Sequence, residues 1–288
     1  MTATVTTQFR TQFDASLRTA VQQQDSRLMK TVTDRGQIEG ATFTISNLGA
    51  LGLLDENVTR HGDTLWSEIE HSARIVAMRD FFKALPLDRA DIPKMTVNPV
   101  TGGQYMSQLI AARNRTIDSI IVKAITGSIT TVDGAATYTM PATQKIVAGG
   151  VGLTKAKLIQ AKTLFRANEA DEMNGQQLFL LYNSVVLGQV LADNTLTDFD
   201  RNDLVSLRDG RIKQVFGFEW IPYEGLPVSG GVYTTAAYTK EAVHFGHGYQ
   251  EGDVAKRPDK KNSWQVSMAA SYGAGRQDEK KVVQIDFQ

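Results

Sequence analysis

NPVTGGQYMSQLIAARNRTIDSIIVKAITG, residues Asn98–Gly127, is the stretch on which the reading of this chain turns. From Gln104 to Ile125 it contains no proline or glycine, and apolar residues recur at Met106, Leu109, Ile110, Ile117, Ile120, Ile121, Ala124 and Ile125. Steps of three and four predict one apolar face on a helix of about six turns. Pro99, Gly102 and Gly103 punctuate its entrance, and Gly127 stands where a left-handed C-terminal cap is expected. Arg113, Arg115, Asp118 and Lys123 fill the other side, with Arg115 and Asp118 spaced to pair. The expectation is a long helix lying across something else.

On its N-terminal side the pattern changes. Ala41, Phe43 and Ile45 alternate with Thr42, Thr44 and Ser46, the period of a half-buried strand. Gly49 and Gly52 then break the chain, and a charged stretch carrying Trp66, Ile69, Phe81 and Phe82 runs on to Pro86 and Pro93. About sixty residues without a periodic core exceed an ordinary surface connection of about four to six. They predict an extended excursion that finds partners outside its own domain. Further upstream, Phe9, Phe13, Leu17, Ala20 and Val21 form a helical stripe in a segment otherwise rich in Thr, Gln, Arg and Asp. That arm has too little apolar surface to fold alone, so it must dock on its own subunit or a neighbour.

On the C-terminal side, residues 128–150 read as turns or a short hairpin. Thr154 is placed to cap a helix whose face is Leu158, Ala161 and Phe165. Beyond Gly175, LFLLY (residues 178–182) suits a buried strand, and Ser184 opens a short helix through Leu191. Val215, Phe218 and Trp220 suit strands ended by Pro222 and Pro227. Trp264–Tyr272 and Val283–Phe287 both alternate, and the intervening GAGRQDE reads as the loop of an antiparallel pair. The whole is an α+β chain with a compact α/β subdomain, and no repeat or low-complexity tail.

Composition narrows the function. Lys plus Arg equals Asp plus Glu at 31 each, so no whole-chain attraction to nucleic acid or anionic membrane is indicated. There is no cysteine, which removes disulfides and thiolate metal sites. No signal pattern opens the chain, and no apolar run approaches the roughly 20 residues that span a bilayer. The search for chemistry is negative. His244 and His247 stand three apart, with His61 and His71 elsewhere, and no third ligand follows at a metal-site spacing. Asp198, Asp200, Asn202 and Asp209 occupy positions 1, 3, 5 and 12 of a calcium loop, but Asp203 replaces the glycine required at position 6. Gly149, Gly150 and Gly152 ahead of Thr154 and Lys155 do not have phosphate-loop spacing and read as a helix entrance. No nucleophile elbow appears. Arg113 and Arg115 are more simply intrachain or intersubunit partners than genome contacts. No catalytic residue, cofactor or metal is assigned.

The order of parts resembles the major capsid protein of tailed bacteriophages, of the Hong Kong 97 type and nearest its podovirus-like branch. The resemblance is carried by LDRADIPKMTVNP leading through Tyr105 into AARNRTIDSIIVKAITG, by LFLLYNSVVLGQVLADNTLTDFDRNDLVSLRDGRIKQVFGFEWIPYEGLP, and by the closing SYGAGRQDEKKVVQIDF. It covers nearly the whole chain, through diffuse patterns with no invariant chemical signature. It implies an N-terminal arm at 1–36, an extended loop over a neighbouring subunit at 37–97, and a peripheral domain with its spine helix at 98–174. An axial domain at 175–248 and return strands of the peripheral domain at 249–288 complete the plan.

The implied function is self-assembly as hexamers and pentamers into the icosahedral head shell around double-stranded DNA. Assembly would take place in the host cytoplasm and the product is the virion. One sequence serves both capsomers by bending the loop and arm. Because the arm begins almost at Met1, any scaffolding protein is expected to be separate; the portal is a further partner, a decoration protein an optional one, and the DNA contact non-specific. Some relatives crosslink a lysine to an asparagine, and no such pair is assigned here. The subunit-interface candidates are Phe9, Phe13 and Leu17 in the arm, and Trp66, Ile69, Phe81 and Phe82 in the loop; the alternative is that they cover the subunit's own core. Two other functions fit less of the sequence. An encapsulin-like compartment shell would have cargo genes beside it in place of portal and terminase. A soluble enzyme would need a catalytic set not recognisable in the sequence.

Overall fold

The computed structural model describes residues 22–54, 56, 62–63, 66–92, 103–192 and 214–288. In chain order the first elements are β1 (Thr33–Gln37), β2 (Thr42–Leu48), β3 (His71–Ala77), β4 (Arg79–Leu87) and α1 (Gln104–Thr126). Next come β5 (Ile129–Thr131), β6 (Thr137–Tyr138), β7 (Lys145–Ile146), α2 (Lys155–Ala167), β8 (Leu178–Tyr182) and α3 (Ser184–Ala192). The last are β9 (Gln214–Val215), β10 (Phe218–Pro222), β11 (Val228–Ser229), β12 (Val232–Thr239), β13 (Val243–Arg257), β14 (Ser263–Arg276) and β15 (Val282–Phe287). They fall into two compact units, a larger one of residues 26–79, 116–248 and 271–288, and a smaller one whose described residues lie within 22–25, 80–115 and 249–270.

The larger unit is built on a mixed sheet of order β7-β15-β12-β8-β10-β9, with β11 on β12. LFLLY forms β8, and all five of its residues are buried. The strand runs parallel to β10 and antiparallel to β12, and flanked on both edges it needs apolar residues on both faces. Helix α2 packs on β15 and β7 with Leu158, Ala161 and Phe165 fully buried, as their spacing predicts. The Phe165 ring meets Phe218 at 5.9 Å. The caps differ from expectation. Thr154 precedes α2 without a side-chain hydrogen bond. Asn183, one residue before Ser184, caps α3 by accepting from the Val186 amide at 3.0 Å. Ser184 is the first helical residue, and its amide and hydroxyl donate to the Glu224 carboxylate at 2.9 and 3.0 Å.

A second sheet of order β2-β3-β5-β6 stands in the same unit. The expected short hairpin is β5 with β6, paired at Ile129↔Tyr138 and Thr130↔Thr137. Phe43, Ile45, Val76 and Ile129 form its buried cluster, with Ile38, Met78 and Tyr138 packed against it.

Two further expectations fail for physical reasons. The two C-terminal strands are not a hairpin: β14 has β13 and β4 as neighbours, whereas β15 pairs antiparallel with β12 from Tyr233↔Phe287 to Tyr238↔Val282. The GAGR segment is strand, not turn. A Cβ on Gly275 would lie 2.3 Å from Val76 Cγ2 and 2.9 Å from Ile129 Cδ1, so the glycine lets the buried cluster approach the strand backbone. A 3₁₀ turn at Glu279–Lys281 then redirects the chain into β15. The second failure is Gly127, which is not in the left-handed region. Its amide donates to the Lys123 carbonyl at 2.9 Å, and a Cβ there would sit 2.4 Å from that same oxygen. Glycine is needed for close approach, not for backbone handedness.

The predicted long helix is α1, within a residue of its expected ends. Its half in the larger unit buries Ile117, Ile121, Val122 and Ile125. Its half in the smaller unit stands with β4 and the outer parts of β13 and β14. There the Arg113 guanidinium donates to Gln250 Oε1 at 3.4 Å and to Asn114 Oδ1 at 3.2 Å.

Candidate assembly surfaces

The base of the β2–β3 hairpin is fixed by a buried charge cluster. Arg276 follows a strand run that carries it fully inside, and its guanidinium donates to the carbonyls of Ile125 and Gly127 at 2.8 and 2.7 Å. Those are orphan acceptors at the C-terminal end of α1, where a cation is favoured. Glu279 accepts from Arg276 Nε at 3.1 Å and takes both ends of the Arg74 guanidinium, at 2.8 and 2.7 Å. Arg74 also lies over the Tyr138 ring at 4.6 Å. Burial raises the Glu279 pKa, but the Arg74 hydrogen bonds and the charges of Arg74 and Arg276 together hold it below the usual glutamate value. One carboxylate thus ties β3, the end of α1 and the end of β14.

The far end of the same hairpin is the opposite. Between β2 and β3, Leu53 and Leu54 are 99% and 93% exposed and Trp66 is 90% exposed. Leu48, Leu51 and Ile69 are also exposed. Of the sequence-predicted interface residues, Trp66, Ile69 and Phe82 are therefore on the surface, Phe81 is half-buried, and Phe9, Phe13 and Leu17 lie outside the described residues. The leucines of NLGALGLL were missed. The sign was present in four leucines beside two glycines, but it read as a chain break. Leu53, Leu54 and Trp66 are the most exposed large apolar side chains among the described residues.

A third feature is the root of the arm. In the larger unit Asp118, fully buried, accepts from Ser26 Oγ at 2.6 Å and from the amides of Arg27 and Leu28 at 3.0 and 3.2 Å. The carboxylate expected to face Arg115 instead closes the turn that precedes β1. Leu28 and Val32 are buried, and Thr31 Oγ1 meets the Tyr238 hydroxyl at 2.6 Å. Strand β1 then pairs in parallel with β13, Thr33↔His244. In the smaller unit the Asn114 side chain donates to the Gln24 carbonyl at 2.7 Å, and Gln22 bonds Gln108.

Among the described residues, chemistry-bearing side chains gather nowhere comparable. His244 and His247 lie on strand β13, not on a helix face. His244 is buried and its Nδ1 accepts from Arg35 Nε at 3.1 Å. Burial and then the Arg35 charge push its pKa below the usual histidine value. Among the described residues no three His, Cys, Asp or Glu side chains are grouped to hold a metal ion. The Asp198–Asp209 loop lies outside the described residues. The glycines before α2 form the expected entrance, with Gly149 and Gly150 in the left-handed region. Lys157, unremarked in the sequence, spends its ammonium on the carbonyls of Ala148, Val151 and Asp286 at 2.8, 3.1 and 2.9 Å, a structural role. Among the described residues no helix is long and apolar enough to cross a membrane.

A family model described as phage capsid protein matches residues 5–288. The capsid subunit of cyanophage Pam1 superimposes with a TM-score of 0.73 at 12% identity, covering 99% of this chain and 98% of that one. The capsid of Ralstonia phage GP4 gives 0.72 at 9% identity, with 100% and 97% covered. The capsid of cyanophage P-SCSP1u gives 0.70 at 12% identity, with 98% and 93% covered. No curated protein matches by sequence. At such identities the structural likeness speaks for the fold, which is the Hong Kong 97-type capsid fold over essentially the whole length.

Proposed function

The chain belongs to the phage capsid protein family, whose members are structural components of the virion, and from that premise we propose how it builds the shell. Hexamers and pentamers of this subunit close into an icosahedral head around double-stranded DNA. The extended loop at 37–97 lies over a neighbouring subunit, and the arm at 1–36 crosses to another contact from its anchored root. Residues 98–174 and 249–288 serve as the peripheral domain, and 175–248 as the axial domain near the capsomer centre.

The observation that carries this reading is the β2–β3 hairpin, anchored by buried ion pairs at its base and bearing exposed Leu53, Leu54 and Trp66 at its far end. Burying each such side chain on a neighbour is worth about 1.5–3 kcal/mol, and a closed shell repeats the contact in every subunit. Ile69 extends the same contact region, and Phe81 and Phe82, in the smaller unit, are further interface candidates. A scaffolding protein and the portal are the partners this role calls for, with a decoration protein optional. Equal numbers of acidic and basic residues suit a non-specific, weak contact with packaged DNA. The family match favours a phage head over a cargo-enclosing compartment, and the role is structural.

The test is expression of the full chain alone and with its neighbouring reading frames, followed by cryo-electron microscopy. Closed icosahedral shells whose loop at 49–70 covers an adjacent subunit are expected. A monodisperse monomer under both conditions would overturn the proposal.

A further inference from the structure

The outer hairpin of β13 and β14, within the smaller unit, separates its free charges by sign. On the exposed outer part of β13 stand Glu251 and Asp253; beyond them the turn reads Lys256-Arg257-Pro258-Asp259-Lys260-Lys261-Asn262. Two of the turn's cations are already engaged. Arg257 forks onto Asp259 at 2.9 and 3.0 Å, and the Lys256 ammonium lies 4.8 Å from the Trp264 ring centre. Lys260 and Lys261 are exposed and have no ion-pair partner among the described residues, and the same is true of Glu251 and Asp253. The free charges are thus two cations at the apex and two anions on the shank.

The apex is also strained. Lys261 and Asn262 both lie in the left-handed region, at φ 52° and 56°. Asparagine accepts that conformation readily, whereas a lysine there costs about 1–2 kcal/mol. Holding a lysine at the apex against that cost is the mark of a contact made elsewhere.

The two blocks cannot satisfy each other within one chain. The strand from Asp253 to the turn at Pro258 runs about 17 Å at about 3.3 Å per residue, while exposed charges are screened over roughly 8 Å at physiological salt. A second copy removes the difficulty, since it presents the missing sign on the same element. We propose that Lys260 and Lys261 of one subunit pair with Glu251 and Asp253 on the outer hairpin of a neighbouring copy. The contact runs from apex to shank, and because each copy carries both blocks the same pairing repeats from copy to copy. Nucleic acid is the poorer partner, because two free cations give little counterion release. The contact rests on the shell-forming function proposed above.

The experiment compares shell yield, by gradient sedimentation and negative-stain microscopy, for four full-length proteins under the conditions in which the unmodified chain assembles. These are the unmodified chain, K260E/K261E, E251K/D253K and the quadruple exchange, with thermal melts of the unassembled subunits as the folding control. Each double variant is expected to lose at least tenfold in shell yield with an unchanged melt, and the quadruple exchange to return to within about twofold of the unmodified chain. Wild-type yield from K260E/K261E overturns the contact, as does a quadruple exchange no better than the doubles. Unchanged shells with less packaged DNA in K260E/K261E would make nucleic acid the partner and also overturn it. No shells from the unmodified chain under any condition would sink the capsid proposal itself, and this contact with it.

Discussion

The two ends of the β2–β3 hairpin share one ladder, Thr42↔Ala77 through Leu48↔His71, and differ in what surrounds them. At the base, Ile45 is fully buried, Val76 is buried beside it, and Arg74 is held by a carboxylate at hydrogen-bond distance. Past the other end, Leu53, Leu54 and Trp66 stand in solvent. Sequence polarity does not separate the ends, because the buried base carries a guanidinium pair and the exposed loop carries leucines. The difference is in partnership. Base residues have theirs within the subunit, and the exposed loop residues are the ones proposed to have theirs on a neighbour. Substitutions at the base should therefore act on subunit stability, and those in the loop on assembly.

The largest effect on stability is expected at Glu279. Glu279→Ala leaves two guanidiniums, one fully buried and one nearly so, without their shared carboxylate. Removing one partner of a buried pair costs about 3–5 kcal/mol, which urea denaturation of the unassembled subunit would detect. A loss under 1 kcal/mol would mean that the base is not anchored by charge, and the contrast with the loop would fail. Next comes Ile45→Ala. It empties a fully buried site in the cluster with Phe43, Val76 and Ile129, at a cost of about 2–4 kcal/mol.

The charged base also has a pH signature. Glu279 has its pKa held below the ordinary glutamate value of 4.5 in the folded chain, so folding is favoured while the unfolded carboxylate is ionised. That contribution is complete above pH 4.5 and is lost as pH falls below it toward the lowered native value. His244, at the root of the arm, acts in a different window. Its pKa is pushed below 6.5 by burial and Arg35, so the unfolded state takes up a proton first, and stability declines as pH falls below 6.5. Denaturant midpoints measured from pH 7.5 to 3.5 should thus show a shallow decline followed by a steeper one. His244→Gln should remove only the first and Glu279→Gln only the second. Identical profiles for the two variants would contradict the assignment.

What the sequence disclosed follows from which interactions are local. Helix α1 was legible because Leu109, Ile117, Ile121 and Ile125 repeat at helical spacing, and β8 because LFLLY is apolar on both faces. The exposed Trp66, Ile69 and Phe82 were legible as apolar residues with no periodic company. Partners distant in sequence were not. Nothing near Arg276 announces that it reaches the end of α1, 151 residues away, or that Gly275 yields to Val76. Alternation identified β15 as a strand but could not choose β12 over β14 as its neighbour. Asp118 looked like a surface partner for Arg115 because the amides of Arg27 and Leu28 that it accepts from are about 90 residues distant.

The smallest effect on the subunit is expected in the loop, and it is the sharper test of the comparison. Trp66→Ala combined with Leu53→Ala removes two side chains that are 90% and 99% exposed, so the unassembled chain should lose no more than about 0.5 kcal/mol. On the surface of a neighbour the same atoms are worth about 1.5–3 kcal/mol each. Losing about 3 kcal/mol per subunit raises the concentration needed for assembly by about a hundredfold, at about 1.4 kcal/mol per factor of ten. Normal melting with a hundredfold shift in the assembly threshold, measured by light scattering against protein concentration, is the expected pair of results. A destabilised subunit would move the loop residues to the side of the base. An unchanged threshold would leave Leu54, Ile69 and Phe82, also exposed, as described candidates for the neighbour's contact.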